Sequence, residues 1–215
     1  MAGANWVSCP GGQRLQLVQD GPICCEEYRA SKVRVVHILK EATKSEGLGP
    51  ALLSHIRPDG TVKWRLWKVT ARRSYALQNG LPDWSSLCDT AMGAAFRASA
   101  IINLNDTIPL GEESRFATNT DAFVAIAKQR WPNRKQQLEA LKPSIIVCGG
   151  TYDLICRLLA QDEPRCVQHE GFLFWKGIPF IRAFHPSFRG KRHVVEYAAF
   201  RDLCLKVHKT IQHGR

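Results

Sequence analysis

The chain has 215 residues, 45% of them hydrophobic and 23% charged, a composition that can bury a core and excludes a disordered or fibrous protein. Its 30 lysines and arginines against 19 acidic residues leave a formal charge of +11, which favours polyanionic partners such as nucleic acid or an anionic surface. No run approaches the roughly 18 apolar residues of a membrane span, and the first twenty residues hold no apolar stretch behind a basic start, so the chain reads as a soluble, cytoplasmic monomer without a membrane partner.

Residues 1–30 read as an irregular arm. The first apolar run, 32–39 (KVRVVHIL), is rich in Val and Ile and ends in polar residues, as buried parallel strands do. The segment 48–84 mixes Trp64, Trp67 and Trp84 with Arg57, Lys63, Arg65, Lys68, Arg72 and Arg73 and reads as helical in part. Helical spacing follows over 89–99, then a strand over 100–104 (AIINL), and helices over 121–130 and 135–141. A third strand covers 144–148 (SIIVC), a helix 152–159, an extra short strand 172–175, a fourth main strand 179–184 (PFIRAF), and a last helix 194–212. Strands alternating with helices predict one domain over 1–215, a three-layer α/β/α fold around a central, mainly parallel four-stranded sheet. The eight cysteines are scattered and form no CxxC pair, so reduced thiols and no zinc or iron–sulfur centre are expected.

In open parallel sheets ligands bind beyond the carboxyl ends of the strands. Four segments end there: 40–47 (KEATKSEG), 103–106 (NLND), 149–151 (GGT) and 185–192 (HPSFRGKR). The Gly-Gly-Thr turn lacks the lysine of a P-loop and the longer glycine fingerprint of a dinucleotide fold, so it reads as a tight strand-to-helix turn capped by Thr151. Carboxylate, carboxamide and imidazole would then converge at one edge.

The stretch LKPSIIVCGGTYDLICRLL (141–159), followed by GIPFIRAFHPS (177–187), resembles the uracil-DNA glycosylase superfamily, with AIINLND (100–106) in the matching order. The likeness covers roughly 33–200. It implies that Asn103 reads the pyrimidine edge, that His185 donates a hydrogen bond to the base oxygen as charge develops, and that Glu41 stabilises the sugar cation or orients water. Ser187, Phe188, Arg189, Lys191 and Arg192 would hold DNA, with Phe188 as a wedge for the flipped nucleotide and the cations on phosphates. Lys40, Lys44, Arg72 and Arg73 would extend that surface. The first motif departs from the family, since Lys40-Glu41-Ala42-Thr43 stands where members carry a glycine-led loop with proline, and Asp106 is an alternative carboxylate.

Uracil-specific members exclude thymine with a tyrosine at C5, where this chain has Thr43 or Lys44. A pocket relaxed at C5 would admit 5-substituted pyrimidines, with Thr43, Lys44 and Ser45 binding the substituent. The resemblance therefore implies a monofunctional DNA glycosylase without cofactor or metal, its target a hydroxymethylated or glucosylated cytosine of phage DNA. Ordinary uracil repair is the alternative within the enzyme class, and a catalytically silent nucleic-acid-binding module the alternative outside it.

Overall fold

A computed structural model of the protein describes residues 6–8, 14–17, 20–41, 49–105, 107–109, 121–162, 166–186 and 193–213. In chain order the elements are β1 (Trp6–Ser8), β2 (Arg14–Leu17), β3 (Gly21–Pro22), α1 (Cys25–Ala30), β4 (Val35–Glu41), α2 (Arg65–Gln78), α3 (Ala91–Arg97), β5 (Ser99–Asn105) and β6 (Thr107–Pro109). They continue with α4 (Asp121–Leu141), β7 (Ile145–Gly149), α5 (Tyr152–Asp162), β8 (Val167–His169), β9 (Phe172–Trp175), β10 (Ile178–Ala183) and α6 (His193–His213). Among the described residues, no helix is long and apolar enough to cross a membrane.

The main sheet has seven strands in the order β3-β5-β4-β7-β10-β9-β8. The expected mixed α/β class is present, but the expected four-stranded, mainly parallel sheet is corrected to a seven-stranded mixed one. Its inner pairs β5–β4, β4–β7 and β7–β10 are parallel, whereas β3, β9 and β8 add antiparallel pairs at the two sides. β3 carries only a Gly-Pro pair, and β8 is a three-residue strand with exposed Val167, so neither has the apolar run that marks a buried strand. A separate antiparallel sheet, β1-β2-β6, takes in two stretches of the segment read as an irregular arm.

Alternate side chains along the inner strands feed opposite cores, as the two-residue period of a strand requires. Val36, Ile38, Ile102, Ile146 and Phe180 pack with α4 and α5 residues such as Trp131 and Ile155. On the other face, Leu39 and Ile101 pack with Trp67 of α2 and Phe96 of α3, while Val147 and Ile181 pack with Phe200 and Cys204 of α6. Every residue of β5 is buried, as expected of a parallel strand covered on both faces.

Residues 121–130 and 135–141, read as two helices, form one, with Pro132 inside α4. An internal proline removes a backbone hydrogen bond, but Phe123, Ala127 and Trp131 before it and Leu138 after it all bury in one core. That shared burial favours a continuous helix over a break. The seven described cysteines are free thiols, Cys148 and Cys204 buried and Cys25 and Cys88 exposed.

A candidate active site at the carboxyl edge of the sheet

The ends of β4, β7 and β10 close on one another through two glycines. A Cβ on Gly149 would lie 2.7 Å from Leu39 Cδ2 and 3.3 Å from Pro186 Cδ. One on Gly150, whose φ is +72°, would lie 3.1 Å from His185 Cβ and 3.4 Å from Lys40 Cε. The Gly150 N–H donates to the Ala183 carbonyl at 2.8 Å, and the Thr151 hydroxyl donates to the Ile38 carbonyl at 3.0 Å. Thr151 thus ties the start of α5 to the central strand and is itself buried.

This edge opens into a cavity of about 440 Å³ bounded by α5 and α6, with Lys40, Arg73, Arg182 and His185 on its walls beside Asp153 and Glu196. Arg182 pairs with Asp153 and lies 4.9 Å over the Tyr152 ring. Both charged groups of that pair are more than half exposed, so the pair adds little to stability. Arg73 and Glu196 differ in kind: they meet at 2.5 Å with side chains only 4% and 7% exposed. Burial brings the Arg73 guanidinium down to about 10 against the opposing pull of Glu196, so it stays charged at neutral pH. Burial first, then the Lys40 and Arg73 charges, bring the His185 imidazole down to about 4. The site therefore presents a neutral histidine within a positive field, suited to giving one N–H bond to a group that gains negative charge.

His37 of β4 is fully buried and its Nε2 shares a 2.8 Å hydrogen bond with Ser74 Oγ of α2. Burial, with the Arg73 charge second, holds His37 down to about 3. In the unfolded chain this imidazole takes its proton near its ordinary value of 6.5, so from pH 6.5 down to about 3 the unfolded state binds more protons than the native one. Stability is expected to fall by up to about 1.4 kcal/mol per pH unit through that window on account of this histidine. Urea unfolding between pH 7 and 4 should show this slope flattened in His37→Asn. An equal slope in wild type and variant would show that His37 is not the group responsible.

The remaining predicted site residues are distributed unevenly. Glu41, read as part of a loop, is the last residue of β4, because parallel pairing runs on to Glu41 opposite Asn105. Asn103 is fully buried on β5, where an aspartate missed in the sequence holds it: the Asn103 backbone N–H donates to Asp20 Oδ2 at 2.7 Å and its Nδ2 to Asp20 Oδ1 at 3.0 Å. Arg134 Nη2 stands 3.5 Å from that carboxylate, and Gln137 Nε2 donates to the Asp20 carbonyl at 3.0 Å. A carboxylate only accepts, so the Asn103 amide group is turned toward Asp20 and its buried Oδ1 has no hydrogen-bond partner among the described residues. The structure brings Lys40 and His185 together with the unpredicted Arg182 and Glu196, but Asn103 is not on the walls of their cavity. Thr43, Lys44, Ser45, Asp106, Ser187, Phe188, Arg189, Lys191 and Arg192 lie outside the described residues, as does the side chain of Glu41.

No protein-family model matches the chain, and no curated protein matches it either.

Proposed function

We propose that the protein is a monofunctional DNA glycosylase acting on a pyrimidine enlarged at C5, with a hydroxymethylated or glucosylated cytosine as the preferred target. The observation that carries this reading is the neutral His185 beside Lys40 and Arg73 in the cavity at the carboxyl edge. In the reaction water adds to C1′ of the deoxyribose, the N1–C1′ bond breaks, and its electron pair leaves with the base while a proton of the water passes to the base or to solvent. His185 hydrogen-bonds to the base oxygen where that pair collects, and the nearby cations lower the energy of the departing anion. The resemblance assigns the water to Glu41.

The preference for a large base rests on a second cavity, of about 390 Å³, that shares Tyr152, Arg182 and Leu203 with the first. Gln168, His169, Glu170, Asp202 and Lys206 stand around it, offering donors and acceptors of the kind that bind sugar hydroxyls. Together the two cavities hold more than a bare pyrimidine needs. The resemblance assigns the base edge to Asn103, but its Oδ1 is buried and off the cavity walls in this structure, so the choice between cytosine and uracil does not rest on it.

The test is to incubate the protein with duplexes containing uracil, hydroxymethylcytosine or its glucosylated form, and to assay abasic sites by alkaline cleavage and free base by mass spectrometry. Abasic sites in the glucosylated duplex are expected. Release of uracil alone would return the protein to repair, and no release from any duplex would favour the silent binding module.

A further inference from the structure

Trp64 is 67% exposed and adopts φ +60°, ψ +130° immediately before α2. An exposed indole gives up the largest apolar burial any side chain can offer, and a bulky residue at positive φ is a conformational outlier. The exposure forgoes a stabilising burial and the backbone conformation costs energy. His55 meets the indole at 6.3 Å and 86°, holding it upright, while the next ring in the series, His55 against Trp67, is stacked and leads into the core.

The surroundings are strongly cationic. Between positions 50 and 73 there are six lysines and arginines and one acid, Asp59, which is occupied by the Thr61 N–H at 2.9 Å and the Thr61 hydroxyl at 2.7 Å. Arg65 and Lys68 are exposed on α2. Burial, then the charges of Arg65 and Arg72, lower the His193 imidazole, which sets both arginines beside the start of α6. Arg72 and His193 line a crevice that shares Arg73, Glu196 and Phe200 with the His185 cavity. Basic side chains therefore run from the cavity through Arg73 and Arg72 to Arg65 beside Trp64, with Glu196 paired to Arg73 and Asp89 acting on Arg72.

We infer that Trp64 is a stacking platform for an unpaired base of the DNA strand bound at the cavity, with Arg65 and Lys68 on the adjoining phosphates. This rests on the reading of the protein as DNA-binding. An indole face accepts any base, and cations spaced along a helix follow the backbone.

The experiment is fluorescence anisotropy of a labelled DNA strand and of a duplex with a mismatched base, over a range of salt, in parallel with base release. W64A is expected to weaken binding about 5- to 100-fold with the salt slope unchanged, and W64F to keep most of the affinity. R65A/K68A is expected to weaken binding and reduce the salt slope by about 2. W64G relaxes the backbone, so it should raise the melting temperature while losing affinity as W64A does; a fall in both would mean that Trp64 serves the fold and would overturn the inference. Unchanged affinity in W64A overturns the inference and leaves the glycosylase standing. Failure of the wild type to bind DNA overturns both. Lost affinity in W64A together with no base release by the wild type supports the platform and removes the glycosylase.

Discussion

Replacing Glu196 with alanine is expected to destabilise the fold by about 3–5 kcal/mol, because it leaves the guanidinium of Arg73 charged and without its buried partner. Both side chains are under 10% exposed and meet at 2.5 Å, so the Arg73 charge loses its direct partner in a largely desolvated position. A loss of that size is a large part of the 5–15 kcal/mol that holds a typical domain together. Urea unfolding would measure it, and Arg73→Met/Glu196→Leu should recover most of the loss, since an apolar pair of similar volume removes both charges at once. A single-variant cost below about 1 kcal/mol would mean that Arg73 reaches solvent in Glu196→Ala.

The second large effect concerns chemistry. His185→Ala is expected to lower base release about 10²- to 10³-fold, the usual cost of removing one preorganised donor from a developing anion, with DNA affinity within a few-fold of wild type. The pH profile separates this role from a general acid. His185 is neutral above about pH 4, so kcat/KM should stay level from pH 8 to about 5 and fall below that as the ring takes a second proton. A histidine that had to be charged would give the opposite limb, with rate rising as pH falls. In Lys40→Met the inflection should move up toward 6.5, because one of the causes holding the ring neutral is gone. A wild-type inflection already at 6.5 would show that neither burial nor Lys40 acts on His185.

The inner strands were legible because each is a short apolar run: 144–148 and 179–184 differ from β7 and β10 by one residue at either end. Of the side strands, the apolar 172–175 was legible, but Gly21–Pro22 and Val167–His169 were not, since they are defined by the neighbour they pair with and not by their own composition. His185 could be placed from its position after an apolar strand. Arg73 was read only as an extension of the DNA surface and Glu196 gave no signal, because their pairing joins α2 to α6 across the fold. Asp20 gave no signal either. Its importance comes from a hydrogen bond to Asn103, 83 positions away, and no local pattern encodes that distance. Pro132 misled for a physical reason: propensity argued for a break, and tertiary burial on both sides overrode it.

The place of β4 in the sheet bears on how the chain comes to be folded. Val35 stands opposite Ser99 on one side and Ile145 on the other, so the central strand must wait for two far later stretches of sequence before either margin is satisfied. Loop closure precedes any gain from such contacts, which makes this kind of pairing slow. During synthesis, β4 would leave the ribosome with both edges bare and remain so until β5, and then β7, had emerged. A chain released before residue 149 would expose one unpaired edge of a strand whose residues 35–39 are all buried in the finished protein, a ready template for joining to another copy. The edge that carries Lys40 and His185 forms late, because β10 can dock only after β7 is in place and α6 only after β10.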